Sequence, residues 1–223
     1  MAEVRVIEIH ESITAANDLA ADMIREQLKE QGTLFLNVMS GPGSGKTTTL
    51  SAVINALKGE FRIGEMDVDI ESSIDAGKVA DATGVETLQI HNGGLCHIDA
   101  DMVSRALLEY DTEGLDLLIL ENIGNLVCPA EFDTGAHKRI MLLSVPEGDD
   151  KPLKYPLMFS TSDVVLINKI DTMDYFDFSM EKVRERILSL NPKAKIFPIS
   201  AKTGEGLPEV LDWIRGEIAA LKN

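Results

Sequence analysis

Short apolar runs alternate with longer stretches of helical periodicity along most of the chain. Residues 34–39 form an apolar run that leads into a glycine-rich turn, and residues 47–57 then place apolar side chains at helical spacing. Strand, loop and helix in that order outline a βα unit. The same alternation predicts further strands at 61–68, 86–90, 115–120, 140–145, 163–168 and 196–199, and further helices at 74–83, 100–110, 180–190 and 208–221.

The predicted strands are nearly continuous in apolar residues, which is typical of strands buried on both faces. With the amphipathic helices between them they predict the α/β class, a mostly parallel sheet with helices on both faces. Upstream, residues 12–30 have helical periodicity and Gly32 is suited to end that helix. We therefore expect a helical lead-in, residues 1–32, packed on a single domain, residues 33–223. Residues 147–156 are expected to form an exposed loop.

Net charge, the N-terminal sequence and the cysteine count indicate which partners and which cell compartment to expect. Lys plus Arg is 21 against 37 for Asp plus Glu, a net charge of -16, so nucleic acid and anionic membrane are not expected partners. The N-terminus lacks the basic flank and apolar stretch of a signal peptide, which predicts a cytoplasmic protein. The chain has two cysteines. In a reducing compartment they indicate catalysis, metal binding or simple burial rather than a structural disulfide.

The turn after the first strand reads SGPGSGKTT, residues 40–48, and has the strand and helix neighbours of a P-loop. Glycines let several backbone N–H groups face one anion, and the next helix adds its dipole. Lys46 should contact the β and γ phosphates, and Thr47 should bind magnesium. Ser40 stands where the pattern has glycine, and a glycine-rich turn without a ligand is the alternative. The predicted phosphate-binding residues are Gly41, Gly43, Ser44, Gly45, Lys46, Thr47 and Thr48.

The apolar strand VVLINKID, residues 164–171, ends in NKxD. Guanine presents two donors on one edge, and the Asp171 carboxylate is an acceptor-only group able to receive both. SAK, residues 200–202, follows the next strand, where guanine-binding folds place a backbone N–H on the base oxygen. NKxD alone also occurs by chance in solvated turns, but both motifs in order favour GTP and GDP over adenine nucleotides. The predicted base-binding residues are Asn168, Lys169, Asp171, Ser200, Ala201 and Lys202.

ENIG, residues 121–124, stands where many GTPases have DxxG. Glu121 can hold a water of magnesium and Gly124 can donate its N–H to the γ phosphate, so that loss of the phosphate releases the segment. Asp69 ends another strand and is the expected second acid on the ion, with Asp67 and Asp75 as alternatives. No residue stands out as a general base, which predicts slow hydrolysis. The predicted catalytic residues are Lys46, Thr47, Asp69 and Glu121.

Soft ligands occur in two places that follow predicted strands. Cys96 and His97 follow one strand, and Cys128 lies four residues beyond Gly124. Carboxyl ends of strands are where open α/β sheets bind ligands, so the three side chains could be neighbours in space. Thiolate and imidazole suit Zn, Ni or Cu better than Mg. The spacing alone leaves two readings open, a metal site or small buried cysteines.

The segments SGPGSGKTT, GGLCHIDAD, ENIGNLVCPAEFD, EGDDKPLKYP and VLINKID together closely resemble the HypB family, SIMIBI-class P-loop GTPases that assist nickel insertion into NiFe hydrogenases. The resemblance implies a zinc or nickel site at Cys96, His97 and Cys128, and a GTP-dependent homodimer in which Lys154 reaches the neighbouring nucleotide. It also implies HypA as a partner that exchanges nickel, and the NiFe hydrogenase large-subunit precursor as the protein served.

The position of Cys128 suggests a mechanism. Movement of residues 121–124 with the γ phosphate must also move a thiol four residues away, so nucleotide state should set metal affinity. Three alternatives stay open: another nickel or cobalamin-linked GTPase chaperone, a P-loop enzyme that transfers phosphate to a small molecule, and an interaction switch whose cysteines are merely buried. Discrimination against ATP and the metal stoichiometry of cysteine variants separate the last two.

Overall fold

The computed structural model describes residues 10–69 and 74–222, and side chains from Ala15 onward within the first helix. Seven strands form one parallel sheet in the order β3-β2-β4-β1-β5-β6-β7. The strands are β1 Leu34–Ser40, β2 Ile63–Asp69, β3 Thr87–His91, β4 Leu117–Gly124, β5 Lys138–Ser144, β6 Val164–Asn168 and β7 Lys195–Pro198. The predicted fold class is confirmed.

Helices cover both faces of the sheet. They are α1 His10–Glu30, α2 Lys46–Leu57, α3 Ile74–Thr83, α4 Ala100–Glu109, α5 Cys128–Glu131, α6 Lys151–Lys154, α7 Pro156–Ser160, α8 Met180–Leu190 and α9 Leu207–Leu221, with 3-10 turns at Val145–Glu147 and Ile170–Tyr175. Every strand and long helix predicted from periodicity occurs, with some shifted ends. Within the described ranges, no helix has the length and apolarity that a membrane span requires.

The sheet separates apolar clusters because side chains alternate between its faces. On one face, α2 and α9 pack on Leu34, Leu36 and Val38 of β1. On the other face, α1 and α4 pack around Phe35, and α7 and α8 pack around the last strands. The predicted lead-in helix therefore contributes to the core of the domain; residues 1–9 of the predicted lead-in lie outside the described residues.

The prediction of an exposed loop at 147–156 is wrong in part, because this segment contains α6 and begins α7. Both helices have proline in their first turn, where the missing N–H costs nothing and the fixed φ favours the helix. Asp149 anchors the segment by accepting hydrogen bonds from Ser179 N at 2.9 Å and Arg186 Nη1 at 2.6 Å. Pro152 is buried, whereas Leu153 stays 63% exposed.

Candidate nucleotide and metal sites

The phosphate-binding turn joins β1 to α2. Gly43 and Gly45 have φ of 74° and 98°, in the left-handed region that favours glycine. A Cβ on Gly45 would also lie 2.7 Å from Asn168 Nδ2. The turn borders an open cavity of about 890 Å³, lined by Gly43 to Thr48 and by Glu121. That volume is within the range of small-molecule sites.

Ser40 has a polar role that the sequence comparison with the P-loop pattern missed. Lys46 Nζ donates to Ser40 Oγ at 3.0 Å, and Ser40 Oγ donates to Gly41 O at 2.8 Å. Ser40 is buried, so its hydroxyl holds the lysine ammonium at the base of the turn. The departure from glycine at this position therefore adds a contact to the P-loop lysine.

The NKxD residues connect the phosphate turn to the end of β6. Asn168 Nδ2 donates to Ser44 O at 2.9 Å, and Asn168 Oδ1 accepts from Ala201 N at 3.1 Å. Lys169 has a φ of 63° and its Nζ donates to Gly43 O at 2.7 Å. Asparagine and lysine therefore tie the predicted phosphate and base motifs into one surface.

Asp171 faces a second cavity, of about 360 Å³, beside the first. Gly45, Thr48 and Lys202 also line this cavity. Ser200 Oγ donates to Asp171 Oδ1 at 2.7 Å, which orients the carboxylate. The SAK segment thus lies against the NKxD segment, as the predicted guanine site requires.

Glu121 lies where the phosphate turn meets the centre of the sheet. Thr47 Oγ1 donates to Glu121 Oε1 at 3.0 Å. The register places Asp67 of β2 beside Glu121 of β4, and oxygens of Glu65, Asp67 and Glu121 lie within 4.8 Å of one another. All three residues are buried. Among the residues that the structure describes, both Glu65 oxygens, Asp67 Oδ2 and Glu121 Oε2 have no hydrogen-bond partner.

Burial sets the protonation of these acids. Loss of solvent, followed by the charges of Glu121 and Asp67, raises the pKa of Glu65 to about 9. Burial also raises the pKa of Asp67 to about 6 and that of Glu121 to about 7, although Lys46 opposes the increase at Glu121. A cation beside Glu121 would stabilise its ionised form and so lower its pKa.

The donors near Thr47 fit magnesium. Mg²⁺ prefers oxygen ligands, and the Thr47 hydroxyl and Glu121 carboxylate lie together at the cavity wall. Asp69, the predicted second acid, ends β2 and pairs in register with His91. Asp69 is not part of the cluster formed by Glu65, Asp67 and Glu121. Asp75 lines the phosphate cavity and forms an ion pair with Lys78 at 2.7 Å.

The predicted switch segment lies against the phosphate turn. Gly124 pairs in register with Ser40, and a Cβ on Gly124 would lie 3.4 Å from Pro42 Cα and 3.6 Å from Lys46 Nζ. Two residues further on, Leu126 is buried, and its Cδ1 would lie 3.6 Å from a Cβ on Gly41. The segment between Glu121 and Cys128 therefore contacts the P-loop twice.

The three soft ligands lie together at the surface. Cys96 Sγ is 2.8 Å from Cys128 Sγ and 4.0 Å from His97 Nδ1, and both thiols are free. The His97 ring stacks on Phe132 with centroids 3.9 Å apart and planes at 7°. The Cys96 thiol and, secondly, burial raise the pKa of Cys128. A metal must therefore displace a proton from this thiol.

Asn92 shapes the loop that carries Cys96 and His97, and sequence reasoning missed it. Its Nδ2 donates to Leu95 O and to His97 O, both at 2.8 Å. Gly93 and Gly94 have φ of 72° and 90°, so the chain turns tightly around this amide. An asparagine before two glycines is a turn signal that could have identified the loop.

Lys154, the remaining predicted site residue, lies at the end of α6. It is exposed and forms an ion pair with Asp150 at 2.6 Å. It is not among the residues lining the two cavities described above.

Comparisons with known proteins agree with the geometry. The family model of the CobW/HypB/UreG nucleotide-binding domain matches residues 35–198. The hydrogenase/urease maturation factor HypB of Helicobacter hepaticus is 43% identical over 212 residues, which cover 93% of this chain and 86% of the relative.

Two solved structures are similar over nearly the whole chain. The structure of HypB from Helicobacter pylori in complex with nickel has a TM-score of 0.85 at 39% identity and covers 92% of this chain and 96% of that one. HypB from Archaeoglobus fulgidus has a TM-score of 0.84 at 37% identity, covering 92% and 99%. Each similarity covers more than nine-tenths of this chain.

Proposed function

Because the chain belongs to the CobW/HypB/UreG family of nucleotide-binding proteins, we propose that it is a GTP-binding and GTP-hydrolysing metallochaperone. It delivers nickel, or regulates its delivery, during maturation of NiFe hydrogenase in the cytoplasm. HypA exchanges nickel with it, and the hydrogenase large-subunit precursor is the protein served. These roles are supported by the relatives named as hydrogenase maturation factors and by the nickel complex of one of them.

Guanine selection is supported by the carboxylate in the second cavity. Ser200 holds one oxygen of Asp171, which leaves acceptor positions for the two donors of guanine. Adenine lacks this pair of donors. In the proposal Lys46 contacts the β and γ phosphates, and Thr47 and Glu121 are the residues that would hold Mg²⁺. Asp67, which lies beside Glu121, replaces the predicted Asp69 as the second acid. Lys46 is placed to neutralise charge on the phosphates, and a bound Mg²⁺ would supply further positive charge there. Hydrolysis is expected to be slow, below about one turnover per second.

Nickel or zinc binding is supported by the thiol pair and the adjacent imidazole. Cys96, His97 and Cys128 provide three soft ligands, which leaves a tetrahedral ion short of one ligand. A second copy of the chain can complete the site, in a GTP-dependent homodimer. In that dimer Lys154 reaches the neighbouring nucleotide from its exposed position on α6.

The observation that carries the proposed coupling is the path from Gly124 to Cys128. Gly124 approaches Lys46, Leu126 packs near Gly41, and α5 begins with the thiol itself. A γ phosphate that draws Gly124 toward it must therefore displace the backbone leading to the metal ligand. Bond lengths near 2.3 Å make a thiolate sensitive to such a displacement.

The test is nickel and zinc titration of the purified chain loaded with GDP or with a non-hydrolysable GTP analogue. We expect metal affinity and dimerisation to differ between the two nucleotides, and Cys96→Ala and Cys128→Ala to lose the metal. Equal affinity in both nucleotide states would refute the coupling. Metal stoichiometry that survives both cysteine changes would favour an interaction switch with inert thiols, and weak discrimination against ATP would favour a small-molecule phosphotransferase.

A further inference from the structure

Asn17 of α1 connects the two segments that carry the soft ligands. Its Oδ1 accepts a hydrogen bond from Ala100 N at 2.9 Å, and its Nδ2 donates to Asp133 O at 3.0 Å. Ala100 lies three residues after His97, and Asp133 lies five residues after Cys128. One side-chain amide therefore joins both segments close to the metal ligands.

The same helix holds the second segment through several more contacts. Arg25 Nη2 donates to both carboxylate oxygens of Asp133, at 2.9 and 2.8 Å, and Arg25 Nε donates to Ala136 O at 3.3 Å. Gly135 has a φ of 81°, and a Cβ there would lie 2.7 Å from Ile24 Cβ. The backbone after α5 thus packs closely against α1, with no room for a side chain at Gly135.

The hydrogen bonds of Asn17 lie close to the metal triad, Cys96, His97 and Cys128. His97 stacks on Phe132, and Phe132 immediately precedes Asp133. Asp99 caps α4 by accepting from Met102 N at 2.9 Å, whereas the N–H of Ala100 is satisfied by Asn17. Without Asn17 this amide and the Asp133 carbonyl lose these partners at the point where the two segments meet.

We propose that Asn17 is a positioning residue for the metal triad, so that α1 sets the separation of Cys96 and His97 from Cys128. This inference rests on the proposed metal binding. Helix α1 lies outside residues 35–198, the part matched by the nucleotide-binding family model. The nucleotide-binding domain thus provides the ligands, and a helix outside the matched region holds them in register.

The expected size follows from the behaviour of residues that orient metal ligands. Loss of such a partner typically weakens metal binding about 10-fold to 100-fold. Asn17 touches the backbone rather than the ligands, so we expect the lower part of that range, about 10-fold for Asn17→Ala. Nucleotide affinity should not change, because α1, the helix that carries Asn17, packs on the face of the sheet opposite α2.

The experiment measures nickel and zinc affinity of the full chain by competition with a chromophoric chelator, together with the nickel–thiolate absorption band. Asn17→Ala is compared with Asn17→Asp, which keeps the acceptor for Ala100 N but loses the donor to Asp133 O. Asp18→Ala, an exposed neighbour on the same helix, is the matched control. GDP affinity and thermal stability are recorded for each variant.

Weaker metal binding and an altered absorption band in both Asn17 variants, with GDP affinity retained and Asp18→Ala unchanged, would support the inference. Wild-type metal affinity in a folded Asn17→Asp chain would overturn it. If the wild-type chain itself binds no metal, or binds it equally after Cys128→Ala, the proposed function fails instead. The two failures are therefore distinguishable.

Discussion

Replacing Glu65 by glutamine should change how the stability of the chain depends on pH. Glu65 is 0% exposed, and within the described part of the chain neither of its oxygens has a hydrogen-bond partner. Burial, then the charges of Glu121 and Asp67, raises its pKa from 4.5 to about 9. Between these values the folded chain keeps a proton that the unfolded chain releases. Stability is therefore lost as pH rises through this window.

The magnitude follows from proton linkage. One proton bound only in the folded state changes the free energy of unfolding by roughly 1.4 kcal/mol per pH unit. From pH 6 to pH 8 the upper limit is therefore about 3 kcal/mol. Glu65 shares its surroundings with Asp67 and Glu121, and relaxation around a buried charge reduces the effect. We expect the stability advantage of Glu65→Gln over the wild type to grow by at least about 1 kcal/mol over that range.

The assay is urea unfolding of nucleotide-free protein in EDTA at pH 6, 7 and 8. Glutamine still places a buried polar amide at this position, so the change with pH, rather than stability at one pH, isolates the ionisation. Glu113→Gln, at an exposed turn, is the control. Its free energy of unfolding should change with pH in the same way as that of the wild type. A constant difference between Glu65→Gln and wild type across the three pH values would contradict the argument.

Three further outcomes are expected. Asp171→Asn should weaken GDP binding about 10-fold to 100-fold and improve binding of xanthosine diphosphate, measured by competition with a fluorescent nucleotide, because the acceptor-only carboxylate is lost. Gly41→Ala would place a Cβ 2.5 Å from Glu147 Oε1, so the Glu147 carboxylate, whose other oxygen accepts from Ser144, must shift. Stability should fall by about 1 kcal/mol in urea unfolding, with partial rescue by Glu147→Ala. Thr47→Ala should remove the effect of Mg²⁺ on GDP affinity in calorimetric titrations; an unchanged Mg²⁺ effect would count against the assigned ligand.

The sheet and long helices could be predicted because their apolar residues recur at regular intervals. Helices α3 and α8 occur at the predicted residues. The short helices α6 and α7 lie in or begin within a segment predicted to be a loop, in which proline is a loop signal. Helix α5 has four residues, too few to show helical periodicity. Proline is equally suited to begin a helix, and only the surrounding packing distinguishes the two cases.

The candidate nucleotide residues form local motifs, so the sequence alone indicates most of them. Asn17 gives no such signal, because its partners Ala100 and Asp133 are 83 and 116 residues away. Glu65 could have been noticed, since Glu65, Asp67 and Asp69 alternate along one strand and so share a face. What the sequence could not provide is the register that brings Asp67, rather than Asp69, beside Glu121.

The exposure of the soft ligands bears on whether the metal is cargo or a structural ion. Structural zinc sites are closed by four protein ligands, whereas this chain brings together three, with Cys96 exposed and Cys128 half-buried. Leu95 and Val127, the residues before the two cysteines, are 43% and 50% exposed. An ion held at such a surface can be reached by another protein, and apolar neighbours favour contact with one. This exposure supports the proposed transfer of a metal to another protein. It also agrees with the proposed role of helix α1, because the part of the chain that the structure describes leaves these ligands partly open to solvent.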